Sequence, residues 1–216
     1  MNKRILIFGA TGNIGKYLKD YFTIEGYEVV APTRADCDLA KPGAVTDYLR
    51  SLNSVEHIIN CSADQSVANF SEMTPEQITK MVNTNLSSMA EIYAYVAKSK
   101  WKVESILAIS SVEAIRPRQG HALYGATKAA LETLVRGACN ELTPTRCNAL
   151  RLGLISRPEI EISWPEGVNS WIQTTPLKRM GSNSDVAHAA AFLLSSTWIT
   201  GEVLTLDGGN STTAGW

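Results

Sequence analysis

Short apolar runs alternate along this chain with longer stretches in which apolar residues recur every three or four positions. The first run, Arg4-Ile-Leu-Ile-Phe8, is closed by Gly9 and reads as a strand buried on both faces. From Asn13 to Ile24 the period lengthens. Ile14, Leu18 and Phe22 share one face and Gly26 follows the end, which predicts a helix with a glycine stop. Glu28 to Ala31 is a second strand, Pro42 to Leu52 a helix with proline at its start, and His57 to Asn60 a third strand. Thr74-Pro-Glu-Gln77 is a capping box that opens a long helix to about Lys98, with a bend near Asn85. Val103 to Ile109 is a strand, Leu123 to Glu141 a helix ended by Pro144, and Arg146 to Leu152 a strand. A second capping box, Ser182-Asn-Ser-Asp185, precedes a helix ending near Ser195. Glu202 to Leu206 is the last strand, and Asp207-Gly-Gly209 turns away from it.

Strands that are apolar throughout and alternate with helices predict a parallel sheet covered on both faces, an α/β doubly wound fold in a single domain. Ligands of such folds bind at the carboxyl ends of the strands. Gly9, Asn60, Ser111 and Gly153 all fall at those ends.

Composition narrows the function classes. The chain has 216 residues, 44% hydrophobic and 19% charged, with formal net charge −1. Neither a nucleic-acid footprint nor a polybasic membrane patch is indicated, and no apolar run reaches the length of a bilayer span. Met1-Asn-Lys-Arg before an apolar run is superficially leader-like, but the run from Ile5 to Phe8 is too short and ends in glycine, so a first strand fits better. Cys37, Cys61, Cys139 and Cys147 form no CxxC pair, and three histidines show no ligand spacing. Reduced thiols in a cytoplasmic protein and no metal site are expected.

Two motifs carry chemistry. Tyr124 and Lys128 are four apart on a predicted helix, so they lie on one face, and the ammonium is expected to lower the phenol pKa. Ser111, at a strand end, could hold a substrate oxygen beside them. Gly9-Ala-Thr-Gly12-Asn-Ile-Gly15 stands between a strand and a helix, where glycines let backbone N–H groups approach a pyrophosphate.

Taken with Asn60-Cys-Ser-Ala63, Asn85 in Asn-Thr-Asn-Leu, Ile109-Ser-Ser111, Tyr124-Gly-Ala-Thr-Lys128 and Ile199-Thr-Gly…Leu206-Asp-Gly-Gly209, these motifs make the chain resemble the short-chain dehydrogenase/reductase family over nearly its full length. The resemblance implies a Rossmann-like fold, a nicotinamide dinucleotide, and a catalytic tetrad at Asn85, Ser111, Tyr124 and Lys128. It places the cofactor against Gly9, Thr11, Gly12, Asn13, Ile14 and Gly15, then Thr33, Arg34, Asp38 and Leu39, then Asn60, Ser62 and Ala63. Tyr124, Lys128, Gly153 and Ile155 complete that site. It also implies a homodimer or homotetramer packed through the helices at 75–98 and 123–141, acting on a small-molecule carbonyl/alcohol pair.

The chain departs from the family in its GxxGxxG spacing, in a missing helix after the second strand, in Leu152-Gly153 where Pro-Gly is usual, and in Arg157 where a threonine often holds the carboxamide. Arg34 arrives before any acid at the end of the second strand, which favours NADP over NAD, although Asp36 could serve the ribose after a small shift in register. The segment 157–176, with Trp164 and Trp171, reads as an aperiodic substrate lid. Glu113 reads as a solvated carboxylate in preference to a substrate-facing one, the Arg116/Arg118 pair beside Pro117 as a solvated turn in preference to a site attracting an anionic substrate, and His121 as either a mouth residue or an exposed loop residue. A dinucleotide-binding sensor without turnover, or an isomerase or dehydratase on the same scaffold, are the alternatives to an oxidoreductase.

Overall fold

Six of the apolar runs pair side by side in the computed structural model, which describes residues 3–212. Met1 and Asn2, the start of the stretch weighed above as a leader, lie outside them. The strands are β1 (Arg4–Phe8), β2 (Glu28–Val30), β3 (His57–Asn60), β4 (Ser105–Ser111), β5 (Arg146–Leu152) and β6 (Val203–Leu206). All pairs are parallel and the order is β2-β1-β3-β4-β5-β6. The chain runs outward from β1 to β2 and then crosses back to β3 on the other side of β1. The strand order therefore reverses between β1 and β3, opening a crevice at their carboxyl ends.

Period-two alternation sends each strand's side chains to both faces, and both faces are covered. Leu6, Phe8, Ile58, Ile106, Ala108 and Cys147 pack under α2 (Ala44–Ser51), α4 (Ser88–Lys98) and α5 (Ala122–Glu141). Ile5, Ile7, Ile59, Leu107, Ile109 and Leu150 pack under α1 (Asn13–Ile24) and α8 (Asn183–Ser195). Each fully buried Leu or Ile contributes roughly 1.5–3 kcal/mol, so the two layers, rather than helix propensity, hold the sheet. The doubly wound, single-domain α/β arrangement expected from the pattern is the one observed.

Local signals set the element ends. Both capping boxes form. Gln77 N donates to Thr74 Oγ1 and Thr74 N to Gln77 Oε1, opening α3 (Pro75–Val82); Asp185 N donates to Ser182 Oγ and Ser182 N to Asp185 Oδ2, opening α8. The expected bend near Asn85 is a π turn, Asn83–Ser87, joining α3 to α4.

Three readings shift. The helix expected from Pro42 begins at Ala44, because Gly43 takes a left-handed conformation (φ 84°) and leaves Pro42 outside it. The strand expected at 103–109 is β4, two residues later, so Ser111 ends the strand. The segment 157–176 is not aperiodic: it holds α6 (Ile160–Ser163) and α7 (Pro165–Thr174). Each is too short to show a period, and Pro165 restarts the helix at the first position of α7.

Candidate active site

One cavity of about 830 Å³ runs along the crevice. Its floor at one end is the turn after β1. Gly9 has φ +78°, and a Cβ there would sit 2.7 Å from the Ser62 amide nitrogen, so this approach of β1 and β3 tolerates no side chain. Gly12 caps α1 without a side-chain hydrogen bond, and no acid occupies the first turn. The unspent N–H groups and the positive end of the helix dipole fit an anion such as a pyrophosphate. Thr11, Asn13, Ile14 and Gly15 line the same floor.

Beyond β2 the wall is Thr33, Arg34, Asp38 and Leu39. Asp36 accepts from both the amide (2.9 Å) and the hydroxyl (2.7 Å) of Thr33 and belongs to a neighbouring hollow, not to this cavity. Arg34 is 73% exposed, with Asp38 3.8 Å from its Nε. Ser62 and Ala63 line the opposite wall, and Gly153 and Ile155 the far side. Gly153 is packed tightly: a Cβ would meet the Trp171 ring at 2.6 Å.

Tyr124, Lys128 and Ser111 line the end of the cavity away from the glycine turn. The first turn of α5 presents Tyr124, and the last residue of β4 presents Ser111. Gln65 Nε2 donates to the Tyr124 oxygen at 3.4 Å, and Ser111 Oγ accepts from the Glu113 amide at 3.2 Å. Lys128 is only 2% exposed and donates to the Ile109 carbonyl oxygen at 2.8 Å.

The expected lowering of the tyrosine pKa is not what this site does. Burial pushes the Tyr124 phenol up to about 12, with hydrogen bonds from Ser111 and Gln65 acting the other way. Lys128 itself is pushed down to about 8 by burial, with Cys61 and Glu132 opposing. Its Nζ lies 5.7 Å from the Tyr124 ring centroid.

Two sequence candidates stand behind the cavity wall. Asn85, 2% exposed, accepts from the Asp64 amide (2.7 Å) and donates to the Asp64 carbonyl (3.0 Å) and to Thr127 Oγ1 (3.1 Å). The π turn aims it at the loop carrying Gln65. Asn60 accepts from the Ser62 amide and donates to Ser88 Oγ. Both hold loop backbone and neither lines the cavity, whose wall here is made by Cys61, Ser62, Ala63 and Gln65 and, from the π turn, by Thr84.

Other residues shift the opposite way. His121 is buried and the Glu113 side chain is only 14% exposed, whereas Arg118 stays 45% exposed, as expected, with its Nε 3.1 Å from Glu113 Oε1. Arg116 donates to Asn210 Oδ1 at 2.6 Å. Trp164 and Trp171 both line the cavity and brace the α6–α7 segment, Trp164 on Gly167 and Trp171 on Gly153. Gln65 and Asn210 carried no sequence signal; loop closure alone brings them here.

A family profile described as enoyl-(acyl carrier protein) reductase matches residues 26–211. The chain belongs to the short-chain dehydrogenase/reductase family. It is therefore an NAD(P)-dependent oxidoreductase. The chain is 30% identical over 171 residues to the 3-oxoacyl-[acyl-carrier-protein] reductase of Chlamydia trachomatis, covering 76% of this chain and 69% of that one. It is 26% identical over 235 residues to carbonyl reductase family member 4 of Danio rerio, covering 97% and 98%. A solved small-chain dehydrogenase in complex with NADPH superposes with a TM-score of 0.88 at 20% identity, over 99% and 100% of the two chains. Short-chain dehydrogenase/reductase membership accounts for the crevice, the glycine turn and the placement of Tyr124 on α5. No helix among the described residues is long and apolar enough to cross a membrane.

Proposed function

We propose that the protein reduces a small carbonyl compound to its alcohol with NADPH, Tyr124 donating the proton. The observation that carries the reading is convergence: Ser111, Gln65 and the Tyr124 hydroxyl meet at one end of the cavity whose other end is the glycine cradle. When bound, the reduced dinucleotide supplies the hydride for the carbonyl carbon. Ser111 hydrogen bonds to the carbonyl oxygen and Tyr124 gives it a proton. A phenol held near pKa 12 is in the protonated, donating form at neutral pH. The phenolate left behind is met by the Gln65 hydrogen bond, by the neighbouring Ser111 hydroxyl and by the nearby Lys128 ammonium. Asn85 keeps Gln65 in place by clamping the Asp64 backbone.

NADP is preferred over NAD on this reading. Arg34 offers a planar, exposed guanidinium beside the cavity, while the acid that would bind a ribose 2′-hydroxyl, Asp36, is spent on Thr33. The solved relative with NADPH is consistent with it. The α6–α7 segment serves as the substrate lid. Four unpaired cysteines support a reducing, cytoplasmic setting, and self-association through α4 and α5 to a dimer or tetramer is checked by light scattering.

The test is NADPH oxidation with a panel of carbonyl compounds. Tyr124→Phe should lose turnover by about 10²- to 10⁴-fold while still quenching or enhancing NADPH fluorescence. Near-normal rates in that variant would remove Tyr124 from the chemistry. Turnover without net cofactor change would favour an isomerase.

A further inference from the structure

We infer that the carbonyl substrate carries a carboxylate, and that Arg118 binds it. The inference rests on the reductase reading above and names its substrate class.

The wall beyond Tyr124 is charged and ordered. Arg118 is fixed on three sides: Nε lies 3.1 Å from Glu113 Oε1, Nη2 lies 3.3 Å from His121 Nε2, and the guanidinium carbon stands 4.4 Å from the centroid of the Trp164 ring. An arginine only donates, so His121 Nε2 accepts and the ring proton belongs on Nδ1. That nitrogen faces Glu113 Oε2 at 3.1 Å, in a bent contact. His121 is therefore a neutral imidazole, in keeping with the downward push of burial on its pKa.

These contacts consume one edge of the guanidinium, Nε and one N–H of Nη2. The Nη1 group and the second Nη2 N–H have no partner among the described residues. Together they form an end-on fork matched to a carboxylate. The fork is held rigid by Glu113, His121 and Trp164, so little side-chain entropy is lost when it binds.

Charge points the same way. The reaction end is lined by Arg116, Arg118 and Lys128 against one acid, Glu113. Arg116 donates to the side-chain and backbone oxygens of Asn210, which are neutral, so those contacts leave its charge uncompensated. An uncharged apolar ketone would strip water from the fork and return nothing. A carboxylate substrate neutralises the end of the cavity instead. The imidazole of His121 stands between Arg118 and Tyr124, its centroid 5.7 Å from the Tyr124 ring. Carboxylate and carbonyl are thus separated by the width of the imidazole: the fit is to a keto acid whose two groups are several bonds apart, or in the reverse direction a hydroxy acid.

The experiment compares a series of keto acids of increasing spacing (pyruvate, acetoacetate, 4-oxopentanoate and 5-oxohexanoate) with their methyl esters, using wild type, Arg118→Gln and Arg118→Lys with NADPH. Thermal midpoints confirm that each variant is folded. The wild type should prefer acids, and the acid-to-ester ratio of kcat/KM should fall about 100-fold in Arg118→Gln and less in Arg118→Lys, which keeps charge but loses the fork. A purely structural role would depress both substrate types together. Esters reduced as well as acids by the wild type, or a preference that survives Arg118→Gln, overturns the inference while leaving the reductase reading intact. Reduction of neither acids nor esters overturns the inference and counts against the reading itself.

Discussion

Lys128 sits one helical turn below Tyr124, yet its ammonium donates to the Ile109 carbonyl and not to the phenol. The lysine is thus tied to the strand that ends in Ser111. Burial lowers its pKa from 10.5 to about 8, with Cys61 from the end of β3 and Glu132 from α5 acting against that shift. On the proposed mechanism, the ammonium is present below that value to face the phenolate formed on proton transfer; above it the charge is lost. Carbonyl reduction should therefore fall as pH rises through about 8, well before the free lysine range. A kcat profile flat to pH 10 would contradict this.

Glu132 is the buried anchor beneath the same site. It accepts from Ser110 Oγ (2.7 Å) and Arg151 Nε (2.9 Å), with Arg151 Nη2 on its second oxygen. Glu132→Ala would leave an unpaired guanidinium and hydroxyl between α5, β4 and β5, and should cost about 3–5 kcal/mol in urea unfolding. Glu132→Gln, which keeps an acceptor, should cost less. Equal stability of Ala and Gln variants would refute the role assigned to the carboxylate.

Cofactor choice is predicted from Arg34. Arg34→Ala should reduce the ratio of NADPH to NADH kcat/KM by roughly 10- to 100-fold, since a charge-assisted bidentate contact is lost. The ratio read from initial rates decides it; an unchanged ratio would mean that another group reads the 2′ position.

Stability should depend on His57. It is 1% exposed beside Tyr27, and burial lowers its pKa from 6.5 to about 4, with Glu104 opposing and Lys3 and Arg146 assisting. As pH falls from 6.5 towards 4, the unfolded chain takes the proton first. Stability is therefore lost across that window, by up to about 3 kcal/mol. Denaturation at pH 7 and pH 4.5 should show a smaller difference in His57→Leu than in the wild type. An identical difference would assign the acid sensitivity elsewhere.

Local sequence patterns suffice for the sheet, the helices that cover it and the glycine-turn end of the cavity. Apolar runs such as Ile5–Phe8 and capping residues such as Thr74 and Ser182 act within a few residues, so their consequences are local and readable. The glycine turn is readable for the same reason: Gly9 and Gly12 are required by backbone geometry at those positions. The tertiary structure decided what depends on burial and on distant partners. Tyr124 and Lys128 share a helix face in any reading, but the direction of their pKa shifts follows from how much water the packed sheet removes. Asn85 and Asn60 carry suggestive identities, yet loop 61–65 covers them. Glu113 reads as solvated in the sequence, yet packing leaves its side chain 14% exposed beside a buried His121, and Arg118, still 45% exposed, meets the ring of Trp164 more than forty positions away. Long-range packing sets desolvation and charge pairing, and no local pattern encodes it.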